Sequence, residues 1–151
     1  MTGREEKLGN DLFFASGLVE YIGRQTHNKR SDVVDALGRE RLGRIVELAD
    51  VLHCESIDAV TARLVEEADI EQGDYDNLSP ARYGVPSHWD MGKVYKRLAL
   101  GIMRERGSSA VDALFEAFHS PLAPLLDDYN GSFFYEAPAN VLTAHLTGIV
   151  E

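Results

Sequence analysis

The segment from Tyr83 to Met103 constrains the fold more than any other part of the chain, because a helix start and a long apolar stripe are written into it together. Ser87 and Asp90 stand three apart, the spacing of a capping box in which each side chain serves the other's backbone amide. Pro86 keeps Val85 extended, so the chain enters the helix from a turn. Met91, Val94, Tyr95, Leu98, Ile102 and Met103 then recur at steps of three and four, the period of one helical face. The pattern predicts a central helix over 87–105, with Met91, Val94, Tyr95, Leu98 and Ile102 in the core.

Helical patterning extends on both sides of this segment. Asn10 has the place of a cap, and Leu12, Phe13, Phe14, Leu18, Tyr21 and Ile22 follow, which predicts a helix over 10–24. Ser31 and Asp32 start a short helix that Gly38 ends. Leu42, Ile45, Val46, Ala49 and Leu52 predict a third helix over 39–53, and Ser56 caps a fourth carrying Ile57, Val60, Leu64 and Val65. Ser109 and Asp112 repeat the capping-box spacing before Val111, Leu114, Phe115 and Phe118. Pro124 opens a short helix through Tyr129, and Pro138 opens a last one with Val141, Leu142 and Leu146. The run from Ser132 to Tyr135 reads as a short extended piece with no second strand to pair with. The expected architecture is all-α, a compact bundle of about seven or eight helices forming one domain over 1–151.

Between residues 68 and 86 the helical pattern stops. Glu71 to Pro80 is acidic and turn-forming, and a connection this long is often functional or mobile. Residues 66–76 carry Glu66, Glu67, Asp69, Glu71, Asp74 and Asp76 with no basic residue among them. Such a field suits steering of a cationic partner, with Tyr75 and Leu78 as apolar anchors. Glu71, Asp74, Tyr75, Asp76 and Leu78 are therefore the candidate partner-binding residues. The plain alternative is a solvated, solubilising loop.

Charge distribution bears on the class of partner. The net charge of −10 argues against general nucleic-acid or anionic-membrane binding, both of which need cationic surface. Residues 81–107 are a basic island, six basic against two acidic, between acidic flanks. Lys93, Lys96, Arg97, Arg104 and Arg106 are expected to be matched by carboxylates of the same chain. No apolar run approaches the roughly 20 residues of a bilayer span, and the polar start lacks a secretory hydrophobic block. One cysteine, Cys54, allows no internal disulfide, so the expected compartment is the cytoplasm.

Several residue groups invite a chemical reading. His53 and Cys54 are metal-ligand and nucleophile types, but neighbours on a helix point about 100° apart, and Cys54 reads better as a small buried thiol. Ser87, His88 and Asp90 are triad types crowded into four consecutive positions, whereas triad partners converge from separate elements. Asp127, Asp128, Asn130 and Glu136 lack the spacing of a calcium loop. His27 to Ser31 is a basic turn before a helix start, a place that suits an anion. No phosphate-binding glycine loop, dinucleotide fingerprint or HExxH is present, and no catalytic residue, metal or cofactor is assigned. A pocket between the two helical halves near Tyr83, His88 and Trp89 is the candidate small-molecule site.

Leu12-Phe13-Phe14, Leu18-Val19-Glu20-Tyr21-Ile22, Asn28, Val33-Val34-Asp35-Ala36-Leu37-Gly38 and Asp50-Val51-Leu52-His53 give the first 65 or so residues a resemblance. They look like a bacterial family of short helical proteins of unknown function, often encoded beside proteins that resemble ADP-ribosyltransferase toxins. The resemblance implies a partner in a toxin and antitoxin-like module and carries over no catalytic residue. The expected function is non-enzymatic binding of another protein, of basic surface. The alternatives are an enzyme or small-molecule binder, and an acidic mimic of nucleic acid.

Overall fold

The structure, a computed structural model, describes the backbone of residues 2–149 and the side chains of residues 3–149. Met1, Val150 and Glu151, part of the expected 1–151 domain, lie outside the described residues. The elements are α1 (Thr2–Thr26), α2 (Arg30–Glu47), α3 (Ala49–Leu52), α4 (Ile57–Glu67), α5 (His88–Arg106), α6 (Ala110–Phe118), α7 (Ala123–Leu126), a 3₁₀ turn (Phe133–Tyr135) and α8 (Pro138–Thr147). The architecture is an all-α bundle with no strand among the described residues.

Helix α5 begins where the sequence places it. Asp90 N donates to Ser87 Oγ at 3.0 Å and Ser87 N donates to Asp90 Oδ2 at 2.9 Å, so both halves of the capping box are made. Met91, Tyr95, Leu98 and Ile102 are buried. Val94 is only half-buried, because it faces a groove rather than a neighbouring helix.

The centre is a pair of helices rather than α5 alone. Helix α1 makes its most extensive contact with α5 and also packs against α2, α3 and α4, while α5 packs against α6 and α8. Two glycines bring the axes together: a Cβ at Gly92 would stand 2.8 Å from Gly17 N and 2.9 Å from its Cα. A Cβ at Gly17 would collide with the Trp89 ring, so any side chain at either position would push the helices apart. Leu12, Ala15, Leu18, Val19 and Ile22 line the buried face of α1.

Three boundaries differ from expectation. Helix α1 starts at Thr2 rather than near Asn10: extending a formed helix is cheap, and Lys7 Nζ, 2.9 Å from Asp11 Oδ2, supports the polar turns. The expected helix over 39–53 is interrupted at Leu48, whose φ of −100° and ψ of 14° separate α2 from α3. The run from Ser132 to Tyr135 is a 3₁₀ turn and not an extended piece, closed by Tyr135 N to Ser132 O and Glu136 N to Phe133 O. Gly38 does break its helix, at a φ of 79° that suits glycine. Cys54 is exposed rather than buried. Only Ser109 completes its half of the second box, since Asp112 turns instead to Arg39 at 2.5 Å.

Candidate functional site

The segment between α4 and α5 has no regular structure, yet it is fastened along its length. Gly73 N donates to Thr26 O at 2.8 Å and Tyr75 N to His27 O at 2.9 Å, so the chain runs briefly alongside the end of α1. Asn28 Nδ2 donates to Glu71 O at 2.8 Å, and a Cβ at Gly73 would collide with Asn28 and His27 O. Further on, Asn77 Nδ2 donates to Asp127 O at 2.9 Å, Asn130 Nδ2 to Pro80 O at 3.0 Å, and Arg24 to Pro86 O at 2.7 Å. The segment is a strap laid over the bundle.

That arrangement divides the candidate partner-binding residues. Glu71 and Asp74 are exposed, with no cation within ion-pair reach among the described residues. Asp76 is exposed but holds the strap's own turn, accepting from Leu78 N at 2.9 Å and Ser79 N at 3.0 Å; its bonds from Ser79 lower its pKa. Tyr75 and Leu78 are half-buried, and Tyr75 OH donates to Asp127 Oδ2 at 2.7 Å. They anchor the strap to its own bundle, which corrects their expected use as free apolar anchors.

Of the small-molecule candidates Tyr83, His88 and Trp89, His88 and Trp89 lie together, ring centres 4.7 Å apart, and Tyr83 stands apart from them. Tyr83 is 73% exposed on the strap. His88 packs against Tyr21, ring centres 4.9 Å apart, and its buried Nε2 has no hydrogen-bond partner. Burial, and after it the nearby Arg24 charge, lowers its pKa. Trp89 also lies 5.4 Å from the Phe13 ring and 6.2 Å from Phe14, and lines an open hollow of about 620 Å³ with them.

Under the strap lies a charged cluster that sequence reading does not single out. Arg30 Nε is 2.6 Å from Glu20 Oε1, a close ion pair whose angle falls outside a hydrogen bond. Arg30 also pairs with Asp127 Oδ1, donates to Tyr95 OH at 3.1 Å and lies 4.6 Å above the Tyr95 ring. Arg24 Nε donates to Glu20 Oε2 at 2.5 Å. The side chains of Glu20 and Arg30 are 6% exposed and that of Asp127 is 12% exposed. Burial works against the Arg30 charge, but Glu20 and Asp127 outweigh it and raise its pKa; burial raises those of Tyr95 and Tyr129 too. Two cations therefore face two carboxylates, and the phenols stay protonated. The cavity left among them, about 30 Å³, is the size of one water. Chemically the cluster is a fastening, in which each charge is spent on another.

A second unforeseen arrangement joins Ser120, His145 and Glu116. Ser120 Oγ lies 2.7 Å from His145 Nδ1, and His145 Nε2 lies 2.6 Å from Glu116 Oε2. These are triad residue types, with His145 on α8 and Glu116 and Ser120 together at the end of α6. The serine, however, is buried at 4% exposure and its Oγ already accepts from Leu122 N at 3.2 Å. The relay links α8 to the end of α6 as a buried polar clasp. Burial raises the pKa of Glu116, but bonds from His145 and Arg106 outweigh it and lower the net value.

The outer face of α5 holds the last feature. Its cations were expected to be matched internally, yet only Arg106 is, at 2.9 Å from Glu116. Lys93, Lys96, Arg97 and Arg104 have no carboxylate within 4.0 Å among the described residues. Lys93 and Arg97 border a groove of about 400 Å³ between α5, the end of the strap, the 3₁₀ turn and α8. No helix among the described residues is long and apolar enough to cross a membrane. No protein-family model matches the chain, and neither a curated protein nor a solved structure matches it.

Proposed function

We propose that this chain is a non-enzymatic protein-binding module whose docking surface is the acidic strap, and that its partner presents a basic surface. One observation carries the reading: the strap is fixed to the bundle by backbone and side-chain bonds while its Asp69, Glu71 and Asp74, with Glu66 and Glu67 at the adjoining end of α4, stay exposed and without ion pairs among the described residues. A fixed field of like charge loses little conformational freedom on binding and speeds the approach of a cationic surface. Neutralisation or assistance of a basic toxin suits such a module, in keeping with the resemblance of the first helices.

The test neutralises the field without loosening the strap. Asp76 is left intact because it holds the turn at Leu78 and Ser79. With Glu66→Gln, Glu71→Gln and Asp74→Asn combined, the thermal melt is expected to stay within a degree or two, since surface changes shift stability by about 0.5 kcal/mol or less. Association with a partner captured by the intact chain is expected to slow about tenfold at low salt, with the difference fading as salt screens it. An unaltered association rate at low salt would reduce the strap to a linker.

A further inference from the structure

The open hollow of about 620 Å³ beside Trp89 joins aromatic rings to an excess of negative charge. It lies between the first half of α1, α3 and the first turn of α5, and none of its lining residues belongs to the strap. Its size falls within the range of small-ligand sites. Phe13 and Trp89 are half-buried, so part of each ring stays open to the hollow, with their planes inclined at 39°. Trp89 rests directly against Gly17, where a Cβ would collide with its ring, and Phe14 on its other side is buried. The aromatic wall is therefore in place before any ligand arrives. Glu6, Asp11 and Asp50 also line the hollow against the single ammonium of Lys7, three carboxylates to one cation, a net charge of −2 with His53 neutral. Lys7 Nζ lies 2.9 Å from Asp11 Oδ2 and 3.7 Å from Asp50 Oδ2, which shares one positive charge between two negative ones. Glu6 has no ion pair among the described residues.

We propose that this hollow binds a small organic cation that carries a trimethylammonium group. The negative lining, inside a molecule of net charge −10, selects for a cation. No group of three or more His, Cys, Asp or Glu side chains among the described residues could hold a metal ion, so the acidic residues suit a diffuse organic charge rather than a coordinated one. A primary ammonium is compact and strongly hydrated, and it needs acceptors for each of its hydrogen atoms. Here the best-placed acceptor, Asp11 Oδ2, is already taken by Lys7. A trimethylammonium group has no hydrogen to donate and holds its water weakly. The faces of Phe13 and Trp89 can replace that water through the attraction of a cation for an aromatic ring, while Glu6, Asp11 and Asp50 act on it through charge alone. The site is separate from the acidic strap, and neither depends on the other.

Trp89 is the chain's only tryptophan, so its fluorescence reads the site directly. The probe is choline chloride, titrated into the full chain at about pH 8, where imidazole side chains carry little charge, with sodium chloride holding the ionic strength constant. Choline is expected to change the emission saturably. Dimethylbutanol, the uncharged isostere with carbon in place of nitrogen, is expected to bind about tenfold more weakly or not at all. Phe13→Leu exchanges a ring for an aliphatic side chain and is expected to weaken choline by about fivefold while leaving dimethylbutanol little altered. Glu6→Gln with Asp50→Asn, both at exposed positions, is expected to weaken choline by about fivefold with the helical circular dichroism and melt of the parent retained. Calorimetry on each variant separates a lost emission response from lost binding. Neutralising the strap is expected to leave choline binding intact, so a failure here leaves the strap reading standing. The proposal is overturned if choline does not saturate, if dimethylbutanol binds as tightly as choline, or if the Glu6 and Asp50 variant binds choline as tightly as the parent.

Discussion

The cluster around Arg30 and the groove along α5 use the same residue types to opposite ends. In the cluster, Arg24 and Arg30 meet Glu20 and Asp127 with the Arg30 and Glu20 side chains 6% exposed, and the surrounding phenols satisfy what remains. In the groove, Lys93 and Arg97 have water on one side and apolar side chains on the other, with no carboxylate of their own in reach among the described residues. A charge that is buried must be answered within the fold, because removing it from water is expensive. A charge that stays wet need not be answered, and it is then available to another molecule. The first kind therefore sets the shape of the molecule, and the second leaves charge open at its surface.

The largest effect expected from this contrast is at Arg30. Replacement by Met keeps much of the side-chain volume but leaves Glu20 and Asp127 facing each other without a cation. A loss of about 3 to 5 kcal/mol in a denaturant titration is expected, the usual range for breaking a buried pair from one side. Adding Glu20→Gln and Asp127→Asn should recover part of it, since the uncompensated charges are then removed. A loss under about 1 kcal/mol for Arg30→Met alone would mean the cluster is well hydrated and the contrast with the groove is false.

What the sequence made legible, and what it did not, follows the same division. The Ser87 and Asp90 box, the break at Gly38 and the stripe of Met91, Tyr95, Leu98 and Ile102 depend on residues within a few positions of each other, and local chemistry settles them. Glu20, Arg30 and Asp127 come together from α1, α2 and the end of α7, and no spacing rule relates residues so far apart. The Glu20 and Arg24 pair is visible as an i, i+4 match, but on a sequence it is indistinguishable from a surface pair. The relay of Ser120 and His145 was hidden for the same reason. Distance along the chain also hid the strap's order: its composition marks a loop, whereas its order comes from Asn28, Asn77, Tyr75 and Asn130, whose partners are distant. The cations of α5 were visible as a basic island, and only the fold shows that no described carboxylate of the acidic flanks pairs with Lys93, Lys96, Arg97 or Arg104.

A smaller effect separates the strap's fastening from the stability of the bundle. Tyr75→Phe removes the hydroxyl that donates to Asp127 Oδ2 and leaves the ring in place. A hydrogen bond to a charged group contributes about 1.5 kcal/mol, so the global loss should be of that order. Hydrogen exchange at the Gly73 and Tyr75 amides, which bond to Thr26 O and His27 O, should accelerate more than exchange in α5. Equal acceleration everywhere would show that the strap unfolds only with the whole bundle.

The smallest effect is electrostatic and lies at the edge of the cluster, where His88 packs on Tyr21 within the field of Arg24. Burial first, and the Arg24 charge second, hold its pKa below the ordinary 6.5. The unfolded chain then takes up the proton more readily than the folded one, so folding stability falls as pH drops below about 6.5 toward the depressed folded value. His88→Phe removes the titration and the buried Nε2 that has no partner, while keeping a ring against Tyr21 and Trp89. Melting temperatures of the parent and the variant, measured from pH 7.5 down to about 5.5, should therefore diverge, the parent losing more. Glu116 does not confuse the comparison, because its own depressed pKa places its loss below 4.5. The sharper result comes from pairing His88→Phe with Arg24→Gln. If Arg24 contributes to the depression, the parent's slope should be steeper than that of Arg24→Gln alone, and that difference between them should disappear once His88 is gone. Parallel slopes in the parent and in His88→Phe would mean that His88 titrates as it does in water, and that the field of the sealed cluster ends before reaching it.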